Sequence, residues 1–277
     1  MTNAPVSKMR VLILVKTYPN PSQRYGETVC CAGIDMATRE WVRIYPVNFR
    51  RLAARRFKKY QVIECAGGRN PKDQRPESRR VDQDTIEIKG PVLSRADGWR
   101  ERLRWLPPLY RSLEAVDEAH HASGITLAVI RPARVFGLKI EPAEPWTARQ
   151  LAKVRQRRLG LGEDDSNELR ELEQIPYRFK YRFRCDDPRC KGHTKLILDW
   201  EIGESYRKWR RKYGRGWEAK LREKYEEWLP TRDLQFVVGT MKAHPNTFTI
   251  VGLIYPPGPQ VQRSSTGQLS LQLLNEQ

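Results

Sequence analysis

The sequence predicts a β-rich α+β fold with helical insertions, and three observations carry that expectation. Short runs of β-branched and aromatic residues recur through the first half, separated by turn residues at the spacing of a small barrel or sandwich. Two stretches of mixed charge and apolar spacing, Gly98 to Val116 and Glu204 to Trp228, read as helical within that framework. One strand, Tyr177 to Arg184, alternates strictly between aromatic and basic residues and runs straight into Cys185, Cys190 and His193.

Taken in order, strands are expected at Val11 to Lys16, Thr28 to Ile34, Trp41 to Tyr45, Tyr60 to Cys65 and Thr85 to Lys89. Gly67 to Pro71 is a loop, and the polar, aperiodic stretch Lys72 to Ser78 reads as a functional loop between strands. Pro107-Pro108 breaks the first helical insertion. Ile125 to Ile130 and Val135 to Ile140 open a second strand group, which Pro142 to Pro145 ends. Thr147 to Gln150 starts a helix that runs into a basic segment, and Gly160 to Asn167 is a polar loop. Ile197 to Ile202 fits either a strand or a helix start after Asp199. Gly214 and Gly216 punctuate a charged helix pair, and Phe236 to Val238 and Phe248 to Ile254 are closing strands with a turn at His244-Pro245-Asn246. From Pro256 onward the Pro, Gly, Ser and Gln content is that of a disordered tail. This divides the chain into a first barrel with a helical insertion (1–120), a second β-rich domain with the Cys/His loop and charged helices (121–257), and the tail (258–277).

Charge narrows the function. Among 277 residues, 51 Lys and Arg face 33 Asp and Glu, a formal net charge of +18. Nucleic acid is the expected partner, because each phosphate neutralised by Lys or Arg releases condensed counterions. An acidic protein or an anionic membrane is the other destination for such an excess. Arginine dominates the basic set, which favours bidentate phosphate contacts and stacking on bases. No segment approaches the ~20 apolar residues of a membrane span, and Val11 to Val15 is too short for a signal-peptide core. A cytoplasmic protein is expected. Five cysteines, an odd number with Cys30 and Cys31 adjacent, argue for reduced thiols, and Cys65 reads as a core residue.

The opening block carries a resemblance. An apolar strand ending at Lys16, the core Val29 to Ile34 and Trp41-Val42-Arg43 with Pro46 resemble bacterial proteins described as containing a dual OB-type domain. That resemblance implies two small OB-like Greek-key barrels, often binding single strands. The stretch Tyr18 to Tyr25, the Cys/His loop and the long charged helices depart from it, and no catalytic residue is carried over.

Cys185, Cys190 and His193, spaced C-x4-C-x2-H, offer two thiolates and an imidazole, a donor set suited to tetrahedral zinc. A fourth ligand is sought among Asp186, Asp187, Asp199, Glu201, His120, His121 and His244; a structural site is favoured over a catalytic one, and the bland alternative is local packing of reduced cysteines. Along the preceding strand Tyr177, Phe179, Tyr181 and Phe183 are expected to face the core. Arg178, Lys180, Arg182 and Arg184 then form an outward row at roughly 6.6 Å intervals. Two further runs extend the expected nucleic-acid surface: Arg50, Arg51, Arg55, Arg56, Lys58 and Lys59, and Arg149, Lys153, Arg155, Arg157 and Arg158. Arg207, Arg210 and Arg211 add cations among aromatics, with Trp209 read as a core residue.

The leading expectation is therefore a nucleic-acid-binding module for single-stranded or structured DNA or RNA, with a structural zinc loop. Its alternative is a metal-dependent nuclease or phosphodiesterase built on His193, Asp199 and Glu201, with Asp73 and Glu87-Ile88-Lys89 a weaker imitation of a nuclease motif. A third class is an interaction subunit recruiting an acidic partner in a bacterial genome-defence or repair assembly. No P-loop, dinucleotide-binding glycine turn or Gly-x-Ser-x-Gly elbow is present in the sequence.

Overall fold

The computed structural model of the chain describes residues 7–18, 20–22, 26–47, 56–148 and 174–258. Seven strands build the first half: β1 (Ser7–Lys16), β2 (Asn20–Ser22), β3 (Gly26–Asp35), β4 (Trp41–Val47), β5 (Val62–Arg69), β6 (Ser78–Val81) and β7 (Glu87–Ile88). The hydrogen-bonded order β1-β3-β4-β6-β5 returns to β1, since Ser7 to Leu12 pair with Gly67 to Val62. This closed five-strand barrel is consistent with the OB-like small barrel expected of the first half. Only the β4–β6 pair within it is parallel.

The sequence of β1 reflects burial on both faces. Val11 and Ile13 point into the barrel core with Val42, Ile44 and Ile63, while Leu12 and Leu14 face a second cluster shared with Leu127, Val129 and Val237. A doubly buried strand has no polar side to show, so it reads as an unbroken apolar run. Gly33 lets β3 lie close against β1; a Cβ there would sit 2.1 Å from the Leu12 carbonyl oxygen. Ser78 to Val81, partly taken for loop in the sequence, is a strand because Ser78 and Arg79 pair in parallel with Arg43 and Ile44. The strand expected at Thr85 to Lys89 shrinks to β7, after a 3-10 turn over Gln83–Thr85.

The second half begins with α1 (Arg100–Leu103), β8 (Leu109–Tyr110) and α2 (Leu113–Ser123), so the Pro107-Pro108 break falls where expected. Ser112 caps α2, its hydroxyl accepting from Ala115 N, and Gly124 ends it at φ +73°. There follow β9 (Leu127–Ile130), β10 (Pro132–Pro142), β11 (Tyr177–Cys185), β12 (His193–Leu196), α3 (Trp200–Tyr213) and α4 (Trp217–Arg222). A π-helical segment, Glu223–Trp228, precedes β13 (Gln235–Met241) and β14 (His244–Ile254). Asp199 is the N-cap of α3, accepting from Glu201 N, which makes the helix-start reading of this stretch the correct one. The turn before β14 lies at Lys242-Ala243, and His244 to Asn246 already belong to that strand.

These strands form a three-stranded sheet, β10-β11-β12, and a four-stranded sheet, β14-β13-β9-β8. Only Arg131 separates β9 from β10, and a single parallel bridge, Ile197 to Ile250, links the end of β12 to β14. Among the described residues the pairing therefore stops short of the second closed barrel that was expected. The charged helices close the core over the sheets: Tyr181 stacks on Phe236 at 5.4 Å, and Tyr206 packs edge-on against Trp217 at 4.8 Å. Each such side chain contributes about 1.5–3 kcal/mol by leaving water. Trp209 packs partly buried against this core, as expected.

Polar ties cross between the halves as well. The buried Arg43 guanidinium of β4 donates to the Thr126 carbonyl at 3.0 Å and pairs with Glu77, whose carboxylate accepts from the Thr126 hydroxyl. Arg75 donates to the Thr240 carbonyl at 2.7 Å. No helix among the described residues is long and apolar enough to cross a membrane.

Candidate metal centre and nucleic-acid interface

Antiparallel pairing sets up the metal-type cluster. Cys185 is the last residue of β11 and His193 the first of β12, and the register opposes Phe183 to His193, so the connecting loop must bring Cys190 between them. Asp187 shapes that loop: its carbonyl accepts from Cys190 N at 3.0 Å and its carboxylate from Arg189 N at 2.9 Å. Gly192, at φ +95°, supplies the left-handed residue the reversal needs. Cys190 Sγ lies 3.2 Å from His193 Nε2 and accepts from Cys185 N at 3.2 Å.

The fourth donor is Glu114, from the first turn of α2. Its Oε1 is 3.3 Å from His193 Nε2, and one donor atom from each of Glu114, Cys185, Cys190 and His193 falls within 4.8 Å of the others. Asp187 fastens the two elements together by accepting from the Ser112 hydroxyl, the cap of α2, at 2.9 Å. Arg189 reaches from Asp187 to Glu118 of the same helix. The fourth-ligand candidates chosen from the sequence lie otherwise: Asp187 supports the loop, His120 and His121 bond to the Ile125 and Asp117 carbonyls, and Asp199 and Glu201 belong to another cluster.

The donor chemistry fits a divalent transition metal. Two sulfurs, an imidazole nitrogen and a carboxylate oxygen make a tetrahedral set of the kind zinc prefers. Glu114 Oε2 is buried with no hydrogen-bond partner among the described residues. Burial pushes the Cys185 thiol up to about 12, with Cys190 and Glu114 adding to the rise. Burial also pulls His193 below its ordinary value, against the upward effect of Glu114. A bound cation reverses the first tendency and reinforces the second, since thiolate and neutral imidazole are its ligand forms.

The strand leading into this cluster presents the expected alternation. Phe179, Tyr181 and Phe183 are buried and Tyr177 packs against the same core, while Arg178, Arg182 and Arg184 are exposed. Across β10 the register sets Lys139 beside Lys180 and Arg134 beside Arg184. Phe136, half exposed at 50%, lies on this face with the Arg134 guanidinium 5.3 Å from its ring. Glu141 answers two of the charges, pairing with Lys139 at 2.6 Å and Lys180 at 2.5 Å. No acid among the described residues pairs with Arg178, Arg182 or Arg184.

The remaining predicted cations scatter. Arg56 and Lys58 are exposed before β5, and Arg210 and Arg211 are exposed in the last turn of α3, where their charge also suits the helix C-terminus. Arg207 is paired with Glu204 at 3.0 Å. Arg50, Arg51, Arg55, Arg149, Lys153, Arg155, Arg157 and Arg158 lie outside the described residues, as do the loop over 160–167 and all but the start of the tail.

Lys59 requires a correction. Read as part of a basic nucleic-acid surface, it is instead buried between the halves, with Nζ 3.1 Å from Asp199, 3.0 Å from Glu201 and 3.0 Å from the Leu253 carbonyl. Burial alone would lower its pKa, but the two carboxylates hold it well above the usual lysine value. Asp199 also accepts from Leu253 N at 2.7 Å, and Tyr255 donates to Glu201 at 2.6 Å. The structure therefore divides the proposed catalytic set: His193 sits with the sulfurs, whereas Asp199 and Glu201 neutralise a lysine. Asp73, the other nuclease candidate, is held by Arg75 and Ser78 at 2.6 and 2.9 Å, apart from Glu87, which pairs with Lys89 at 2.6 Å.

No curated protein matches the chain. A family model described as a domain of unknown function (DUF8758) matches residues 7–108, the part that holds the closed barrel. A second, also described as a domain of unknown function (DUF8757), matches residues 110–273, the part with the Cys/His cluster and the basic sheet face. Because that second match takes in more than half of the 277 residues, the chain belongs to the DUF8757 family.

Proposed function

We propose that the chain is a nucleic-acid-binding module whose contact surface is the outer face of β10, β11 and β12, with zinc held by Glu114, Cys185, Cys190 and His193 bracing the β11–β12 hairpin. The observation that carries this reading is the row Arg178, Arg182 and Arg184, free of acidic partners among the described residues, beside the exposed ring of Phe136. Cations of this kind take phosphates, and an exposed aromatic among them stacks an unpaired base. Zinc at the foot of β11 fixes Arg184, the neighbour of a ligand, and so sets the register of the row against β12.

A second, OB-like barrel in the latter half is part of the same reading. With β9 and β10 taken as one bent strand, the circuit β9/β10-β11-β12-β14-β13 repeats the winding of the first barrel, including one parallel contact between its third and fifth strands, at Ile197 and Ile250. In such barrels the face of the second and third strands binds oligonucleotides, and here those are β11 and β12.

The test is binding of labelled single-stranded and duplex DNA and RNA over a salt series. The parent is compared with a variant carrying Arg178→Gln, Arg182→Gln and Arg184→Gln. The variant should bind more weakly, with a slope of log affinity against log salt reduced by about 0.7 for each lost single-strand phosphate contact. An unchanged slope would remove this face from the interface. Metal analysis of protein purified without added zinc should give about one zinc per chain, as expected of one closed four-ligand site.

A further inference from the structure

Several irregularities of this chain converge where the two halves meet, beside Lys59. Tyr60 and Trp99 both hold left-handed backbone conformations, at φ +61° and +72°, and their rings touch edge-on at 5.3 Å. Large aromatic residues adopt that conformation only where the surroundings enforce it, and such strain gathers at ligand sites. Trp99 packs on Tyr255 at 5.6 Å, and Tyr255 in turn meets Trp228 at 5.9 Å and donates to Glu201. The Tyr60 hydroxyl is buried without a hydrogen-bond partner among the described residues, and its electrostatic neighbours are Lys59, Glu201, Arg102 and Asp199.

The π-helical segment supplies the rest. Turns of this kind are rare and recur at functional sites; this one presents Lys224 and Trp228 toward the same seam. Trp228 stays 44% exposed, with the Arg232 guanidinium 5.3 Å from its ring, and Arg232 Nε is another buried donor without a partner. The Lys224 ammonium makes no hydrogen bond or ion pair among the described residues, although the side chain is half-buried and feels Glu201 and Asp199. An indole open to solvent, an ammonium without a direct ion pair among the described residues and a second cation at the indole match a planar base carrying a phosphate.

We propose that this seam is a second binding site, for a nucleoside phosphate: the base stacks on the exposed indole of Trp228 and the phosphate is met by Lys224 and Arg232. The ligand is a free mononucleotide or the phosphorylated end of a strand, two sources of one chemistry. The inference rests on the nucleic-acid reading for its class of ligand, but its residues are separate from the β10–β12 face.

The probes are adenosine and uridine monophosphates, inorganic phosphate, and short oligonucleotides with and without a 5′ phosphate, followed by calorimetry on the full chain. Trp228→Ala should weaken nucleotide binding by about 5- to 150-fold, the loss expected for one base–aromatic stack. Trp228→Leu, which keeps the apolar contact with Tyr255, guards against a folding failure, and Lys224→Gln should lose affinity for every phosphate-bearing probe. Preference for mononucleotides assigns a free nucleotide, and preference for 5′-phosphorylated strands assigns a strand end. The triple arginine variant of the sheet face should keep mononucleotide binding, so failure of that face and failure of this seam are read separately. A parent that binds none of these probes, or Trp228 and Lys224 variants that bind them as the parent does, would overturn the proposal.

Discussion

At the scale of single residues, a run of like charges hides its most consequential member. Arg50 to Lys59 reads as one basic stretch, yet Lys59 is the counterion of two carboxylates contributed by the other half of the chain. Replacing it by methionine keeps the volume and strands both acids, which costs about 3–5 kcal/mol when a buried pair is broken on one side. Lys59→Met should lower the urea midpoint by a large fraction, while Lys58→Met, at an exposed neighbour, leaves it nearly unchanged. Asp73 yields a pH effect. Burial would raise its carboxyl, but Arg75 and Ser78 override this and hold it at about 2. A depressed carboxylate stabilises the fold above its unfolded value of roughly 3.9 and loses that contribution as pH falls toward 2. The melting temperature of the parent should therefore drop between about pH 4 and 2, and Asp73→Asn, already less stable at neutral pH, should show a shallower drop. What was legible at this scale was the alternation of β11, since period two assigns each side chain to a face without further information. Glu114 was illegible, because a candidate donor on a helix docked from far upstream leaves no spacing signal beside Cys185.

At the scale of elements, α2 shows how a cap serves more than its own helix. Ser112 satisfies Ala115 N and also donates to Asp187, the residue that shapes the cysteine loop. Ser112→Ala should cost about 1 kcal/mol through the cap. If the proposed zinc assignment holds, loss of this support to the donor cluster should also weaken metal retention by about 10- to 100-fold, read by competition with a chromophoric chelator. Glu118→Gln tests the outer contact alone and should have a smaller effect. Strands with strong apolar runs were legible because both their faces are buried or one is wholly so. By contrast β6, Ser78 to Val81, is short and charged, and only its pairing with β4 makes it a strand. The α3 start was legible in outline, since Asp199 before an apolar helix face is a cap signal.

At the scale of the whole molecule, the two family domains share one apolar cluster. Leu12 and Leu14 of the barrel pack with Leu127, Val129, Val237 and Val251, and the Arg43 and Lys59 networks cross the same seam. An interface of core-like composition joins domains into one cooperative unit. Urea unfolding followed by tryptophan emission and by far-ultraviolet dichroism should coincide in a single transition; two transitions would show that the seam opens first. The sequence carried the first barrel through its strand pattern but not this seam, which depends on which face of β1 meets which later strand.

That shared cluster also bears on how the chain can be divided. Neither half can bury its contact face alone, so each, made separately, would present a wide apolar surface with buried-type charges at its centre and would tend to self-associate. Made together from a chain severed at Pro107-Pro108, between the two family matches, they should find each other and restore the fold without a peptide link. The junction is thus a natural place to split the protein into two reconstituting fragments, with reassembly itself as a reporter of the intact seam.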